Sequence, residues 1–181
     1  MSINLIIGCM FSGKTSELIR IAKMNKLLGK KVLMINFDED RRYTNNEKVC
    51  THDQVTLDCL PCGRDICHVK IFQDYIDADI ICINEGQFFD NLLSFCLEAC
   101  SEGKEIHVCG LDGDYLKRPF GEILNLIPHC ESVNKLTALC LSCKNGTKAC
   151  FTKRTCESTE TVLIGSTESY VPVCRKCYLK K

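Results

Sequence analysis

Gly8-Cys9-Met10-Phe11-Ser12-Gly13-Lys14-Thr15 follows directly on the apolar residues Ile3, Leu5, Ile6 and Ile7. It reads as glycine, four residues, then Gly-Lys-Thr: a complete phosphate-binding loop at the exit of a buried strand. Both glycines permit backbone angles closed to a side chain, so successive N–H groups turn inward around a phosphate while the next helix presents its positive end. Lys14 then reaches the β- and γ-phosphates and the Thr15 hydroxyl ligates Mg²⁺. A plain Gly/Ser linker is the competing reading, and the Lys-Thr ending in a strand-to-helix setting argues against it. The loop implies a chain that handles a nucleoside triphosphate.

After the loop, Leu18, Ile19, Ala22, Leu27 and Leu28 recur at helical spacing up to Gly29, a natural stop. Residues 32–37 read as a buried strand. The polar stretch 38–48 reads as a long functional loop. Residues 80–83 form a second buried strand ending in Asn84-Glu85-Gly86. Residues 92–100 form a helix closed by Gly103, and 106–109 a third strand ending at Gly110. Strands that alternate with helices predict an α/β fold with a mainly parallel sheet and its site at the strands' C-terminal ends. No internal repeat or low-complexity tract is visible.

The length of 181 residues fits one domain, or a core with a small appendage, and 45% apolar content suffices for a core. Acidic and basic residues balance at 23 each, so no global positive field recruits nucleic acid or an anionic membrane. The first residues lack a basic segment followed by a long apolar one, and apolar runs such as 80–83 are too short to span a bilayer. A cytoplasmic protein is expected. Sixteen cysteines would suit a secreted disulfide scaffold, but a nucleotide-handling protein without an export signal keeps them as thiols. Cys82, Cys96, Cys100 and Cys109 lie in apolar runs and read as small buried hydrophobes.

From Cys140 onward the pattern changes to short strands and turns. Cys140-x-x-Cys143 and Cys174-x-x-Cys177 each clip one side of a tetrahedral ion, with thirty residues between the pairs. Zinc is the expected metal. A redox reading of each pair competes, but two pairs on a segment poor in strand–helix alternation favour a closed structural site. The division expected is a nucleotide-binding domain at 1–136 and a zinc-binding domain at 137–181, the metal holding 161–173 as a loop over the core. Cys59, Cys62, Cys67 and His68 also have ligand chemistry. Without a second pair at a matching distance, they read as structural.

Four motifs in register carry a family resemblance: G-C-M-F-S-G-K-T-S-E-L-I-R at 8–20, N-E-G-Q-F-F at 84–89, L-D-G-D-Y-L-K-R-P-F-G at 111–121 and V-C-R-K-C-Y at 173–178. Further patches, D-R-R-Y at 40–43, T-H-D at 51–53, I-L-N-L-I-P at 123–128 and F-T-K-R at 151–154, fall in the same order. Over nearly its whole length the chain resembles the type II thymidine kinases, the cytosolic zinc-containing family of animals, bacteria and poxviruses. The resemblance implies a core similar to RecA-type ATPases, a lasso loop held by zinc, and ATP-dependent phosphorylation of the thymidine 5′-hydroxyl. It also implies a homotetramer and thymidine triphosphate as a feedback inhibitor.

Phosphoryl transfer needs positioning and charge neutralisation, so Lys14, the loop N–H groups and Mg²⁺ serve the phosphates while one carboxylate takes the hydroxyl proton. Glu85, just past a buried strand, matches the family's catalytic glutamate. Asp40 matches an acid toward the Mg²⁺ shell, and Arg42 an arginine toward the transferring charge or the 5′-oxygen. Met10, Phe88, Leu111, Tyr115, Thr152 and Tyr170 match residues around the thymine. Backbone groups of Val162, Leu163, Ile164 and Gly165 match those that read its edge.

The chain departs from the family pattern at Asn84, where Asp is usual, at Cys9, where proline is usual, and in a slightly longer 143–151 segment. Two other readings use the same motifs. One is a P-loop ATPase whose zinc ribbon binds nucleic acid, which balanced charge opposes despite Lys176, Lys180 and Lys181. The other is a nucleotide-binding module weakened by Asn84.

Overall fold

The computed structural model describes residues 1–38, 48–50, 55–155 and 169–180. In chain order the first half contains β1 (Ser2–Gly8), α1 (Lys14–Leu27), β2 (Val32–Phe37), β3 (Lys48–Cys50), β4 (Thr56–Asp58), β5 (Leu60–Cys62), α2 (Gln73–Asp77) and β6 (Ile80–Ile83). The second half contains α3 (Leu92–Ser101), β7 (Glu105–Gly110), β8 (Ser132–Leu136), β9 (Ala138–Leu139), β10 (Lys148–Ala149), β11 (Phe151–Arg154), β12 (Tyr170–Val173) and α4 (Arg175–Leu179). Tight 3₁₀ turns occupy Ile66–Ile71, Gly86–Phe88 and Ile123–His129.

Six strands make one sheet in the order β5-β2-β6-β7-β1-β8, and every pairing in it is parallel. The period-2 alternation of strand side chains sorts the core into two layers. Ile3, Leu5 and Ile7 with Leu33, Ile35, Phe37, Ile81, Ile83, Ile106 and Val108 meet α3 and the 3₁₀ turns on one face. Ile6, Met34, Ile80, Cys82 and Cys109 meet Leu18, Ile19 and Ala22 of α1 on the other. A sheet covered on both faces needs near-continuous apolar strands, which is why 80–83 contains no polar residue.

The parallel α/β expectation therefore holds, and the strand ends gather at one edge: Ile7 pairs with Gly110, and Ile83 with both Ile35 and Val108. α1 ends where the sequence placed it, with Gly29 at φ +77 just beyond. Cys82, Cys96 and Cys109 are fully buried, and burial pushes the Cys82 and Cys109 thiols up to about 12. They pack as hydrophobes.

Several elements carry too little local signal to be read from sequence. β8 is an exposed edge strand with no apolar alternation, held by parallel pairing to β1. β5 has only three residues, one of them Pro61, tolerated because the strand is at the other edge. Of the expected loop 38–48, Lys48 belongs to β3, which pairs with β4, while 39–47 lie outside the described residues. Of the expected loop 161–173, Tyr170–Val173 is instead a strand, antiparallel to β11, and 161–168 lie outside the described residues. The backbone of Tyr170–Val173 satisfies its hydrogen bonds on Phe151–Arg154, a partner that no local pattern announces.

Candidate active site

The phosphate loop turns from β1 into α1 through Gly8, Phe11 and Gly13, with φ of 148°, 62° and 86°. A Cβ at Gly8 would overlap the Leu136 carbonyl oxygen, so only glycine lets the loop leave between β1 and β8. Gly13 is the N-cap of α1, and around its missing side chain the structure is open. Lys14 is buried, and its ammonium donates to the Cys9 carbonyl at 2.8 Å. The Ser12 hydroxyl is buried with no hydrogen-bond partner among the described residues. An orphaned donor inside a glycine-rich concavity at a helix N-terminus fits a phosphate oxygen.

The same period-2 alternation that buries Cys82 toward α1 aims Asn84 there too. Asn84 is 2% exposed, and its Oδ1 accepts from the Thr15 hydroxyl at 3.1 Å and from the Cys109 thiol at 3.0 Å. Its Nδ2 donates to Asn36 Oδ1 at 2.7 Å. Thr15, expected at the metal, is thus backed by a neutral amide pair from the ends of β2 and β6. Asn36 carries no sequence motif, and it becomes visible only through this contact.

Glu85 follows in the left-handed region at φ 56°, ψ 42°. Outliers of this kind in a non-glycine residue cost about 1–3 kcal/mol and persist where surrounding structure fixes them. Glu85 is half-buried, and its Oε2 accepts from Gln87 Nε2 at 2.6 Å. The Glu85 carboxylate and the Lys14 ammonium both act on Cys109, whose thiol is raised first by burial, then by Glu85, and lowered by Lys14. The carboxylate and the phosphate-loop lysine therefore both follow strands that end at the same edge of the sheet.

Around them the expected base-pocket residues divide. Phe88 stacks on Phe37 with ring centroids 5.0 Å apart and meets Phe120 edge-on at 5.4 Å. Leu111 donates its N–H to Gln87 Oε1 at 2.9 Å. Asp114, buried, braces the loop that carries Tyr115 by accepting from the N–H groups of Leu116 and Arg118 and from the Arg118 guanidinium. Tyr115 and Tyr170 flank a residue missed in the sequence reading: the Arg154 guanidinium lies 3.8 Å from the Tyr115 ring centroid and donates to the Tyr170 hydroxyl at 2.6 Å. Met10 and Thr152 touch each other, the Met10 N–H donating to the Thr152 hydroxyl at 3.0 Å. Asp40, Arg42, Val162, Leu163, Ile164 and Gly165 lie outside the described residues.

Cys140, Cys143, Cys174 and Cys177 bring their four Sγ atoms within 4.8 Å of one another. The short distances run across the pairs, Cys143 to Cys177 at 3.2 Å and to Cys174 at 3.6 Å. Zinc with Zn–S bonds of about 2.3 Å sets tetrahedral S···S edges of about 3.8 Å, so the donor set fits that ion. A redox pair would instead join the two sulfurs of one motif. Burial would raise the Cys140 thiol, but N–H groups of Cys174, Cys143 and Ser142 outweigh it and bring it down to about 6. No other such ligand group exists among the described residues, and Cys59 and Cys62 are thiols raised to about 11 by burial.

With this geometry in view, the family assignment is direct. A family model described as thymidine kinase matches residues 1–178. The chain belongs to the thymidine kinase family. Over 180 residues it is 41% identical to the cytosolic thymidine kinase of Homo sapiens, covering 99% of this chain and 74% of that one. It is 42% identical over 177 residues to the thymidine kinase of Vaccinia virus (strain Western Reserve), covering 98% and 96%. To that of Myxoma virus (strain Uriarra) it is 41% identical over 176 residues, covering 97% and 95%. The resemblance drawn from four motifs thus extends along the chain.

Within this thymidine kinase family member the cysteine-bearing segment has its own small core, in which Cys9 of the phosphate loop is buried beside Ala138, Cys140, Ala149, Val173 and Cys174. The Cys9 thiol donates to the Ala149 carbonyl at 3.3 Å. Together with Met10 and Thr152, this pins the first turn of the phosphate loop to β11 and its neighbours. Thr152→Val keeps the shape but orphans a buried N–H, which costs about 1–3 kcal/mol. Chemical denaturation should show that loss, and calorimetry with a non-hydrolysable ATP analogue should show weaker binding. Unchanged affinity would mean that the loop holds its shape without Thr152.

Proposed function

We propose that the protein transfers the γ-phosphoryl group of ATP to the 5′-hydroxyl of thymidine, giving thymidine monophosphate. The observation that carries this reading is that a phosphate loop and Glu85 follow strands ending at one edge of the sheet in a chain of the thymidine kinase family. In this reading the N–H groups of residues 8–15 and the Lys14 ammonium hold the triphosphate, and the Ser12 hydroxyl gains its partner there. Glu85 takes the proton from the attacking hydroxyl, and Arg42 neutralises charge as the phosphoryl group moves. Phe88, Leu111, Tyr115 and Tyr170 bound the nucleoside side, with the backbone of 162–165 reading the base edge. Met10 and Thr152 contribute chiefly by their mutual hydrogen bond.

The chemistry that Mg²⁺ would supply here is neutralisation of charge on the phosphates. Thr15 and Asp40 would hold it, with Asn84 behind Thr15. The four cysteines would hold structural zinc, and the boundary between the two domains is placed at 136/137. Homotetramer assembly and inhibition by thymidine triphosphate follow the same family reading. No helix among the described residues is long and apolar enough to cross a membrane, and a cytoplasmic location fits the human relative's designation as cytosolic.

Turnover of thymidine with ATP and Mg²⁺ is the direct test. Lys14→Ala and Glu85→Gln should each remove most of it, since loss of a general base costs about 10²–10⁴ in rate. Retained kcat in Glu85→Gln would take the base role from Glu85, and no nucleoside turnover in the wild type would overturn the function.

Elemental analysis should give about one zinc per chain, because a closed four-thiolate site holds one ion. Cys143→Ser should lose it and weaken both nucleoside and ATP binding, since the phosphate loop packs against this segment. Intact ATP affinity after loss of the metal would uncouple the two.

Asn84→Asp adds a negative charge beside Thr15 and should lower the Mg²⁺ concentration for half-maximal rate while leaving the thymidine KM nearly unchanged. Identical Mg²⁺ midpoints would remove position 84 from the metal site.

A further inference from the structure

Gln87 is 3% exposed, and both ends of its amide are engaged. Nε2 donates to Glu85 Oε2 at 2.6 Å, and Oε1 accepts from the Leu111 N–H at 2.9 Å. Its cavity is kept open by glycines: a Cβ at Gly110 would overlap Gln87 Oε1, and one at Gly121, where φ is +61, would overlap the Gln87 carbonyl. Backbone at the end of β7 thus packs against the side-chain amide, and backbone of the loop after Tyr115 packs against the Gln87 main chain. A buried amide with two satisfied ends fixes the separation of the groups it joins, here a carboxylate on the turn after β6 and the main chain just beyond β7.

We propose that Gln87 is a positioning residue for phosphoryl transfer, a side-chain strut that sets the Glu85 carboxylate against the Leu111 side of the nucleoside pocket. The inference rests on the reading of Glu85 as the base. Glu85 stands at a positive φ two residues from Gln87, and the amide–carboxylate bond ties its side chain to that buried amide. Gln87 touches no reacting atom in this role. It keeps the proton acceptor where the 5′-hydroxyl arrives, and misplacement by about 1 Å is enough to cost on the order of 10²-fold in rate.

Two variants separate the two bonds. Gln87→Met removes both, and should lower kcat about 10²-fold and raise the thymidine KM, with affinity for a non-hydrolysable ATP analogue unchanged. Gln87→Glu keeps an acceptor for Leu111 but loses the donor to Glu85, and should lower kcat with little effect on the thymidine KM. On a Glu85→Gln background, Gln87→Met should cause no further fall in kcat, because a strut has nothing left to position. Full kcat in Gln87→Met beside an inactive Glu85→Gln would refute the strut and leave the base reading standing. An active Glu85→Gln would refute the base itself. A multiplicative loss in the double variant would show that Gln87 acts independently of Glu85 and would also overturn the proposal. If the variants fold poorly, ¹⁵N-glutamine labelling of the wild type reads the same bond: the Gln87 side-chain amide should be protected from exchange and shift on Glu85→Gln, and an unprotected, unshifted amide refutes the strut.

Discussion

Parallel pairing of β1 between β7 and β8 is the constraint on which the rest depends. Strands that run the same way end at the same edge, so Gly8, Asn84, Gly110 and Leu136 arrive together although they are scattered over more than a hundred residues of sequence. Helices must then cover both faces, because parallel sheets expose neither. One face belongs to α1, which enters directly from the phosphate loop. This fixes the strand positions that look at the loop: Asn36, Asn84 and Cys109 all lie on the α1 side, and Thr15 meets Asn84 there.

The second constraint is the dependence of the phosphate loop on the end of the chain. Cys9 and Met10 leave β1 and are at once bonded to Ala149 and Thr152. Tyr178, one residue past Cys177, donates its hydroxyl to the Tyr115 carbonyl at 2.6 Å. The cysteine-bearing segment therefore grips both the phosphate side and the loop after β7. Its core is small, and a metal held by the four sulfurs would offset chain entropy that such a core cannot. Cys9 suits its place because a small thiol packs in that core and still supplies a weak donor.

Residues read from a pattern and residues fixed by packing fail differently. The alternation of apolar runs with glycine stops led to α1, α3 and the central strands, since burial on both faces leaves a continuous signal. It missed β8, β5 and β12, whose positions are set by partners distant in sequence. The glycine-rich loop and the two cysteine pairs were legible because their geometry is local: a few consecutive residues set the turn, or bring two thiols to ligand spacing. Thr152 and Met10 read as pocket lining from the resemblance, and the structure adds their bond to one another. Arg154 was passed over as one letter in a matching patch, yet it lies between the two tyrosines.

Sequence alone was enough for the local features: a glycine-rich turn ending in Lys14 and Thr15, a carboxylate just past a buried strand, and two thiol pairs at ligand spacing. Each follows from residue type and spacing within about a dozen positions, where backbone geometry is predictable. How those segments hold one another depends on the fold: Asn84 against Thr15, Gln87 between Glu85 and Leu111, and the phosphate loop on β11. These contacts join residues from 2 to 142 positions apart. Their partners are chosen by strand order and by the space that Gly110 and Gly121 leave, quantities that exist only once the sheet has formed.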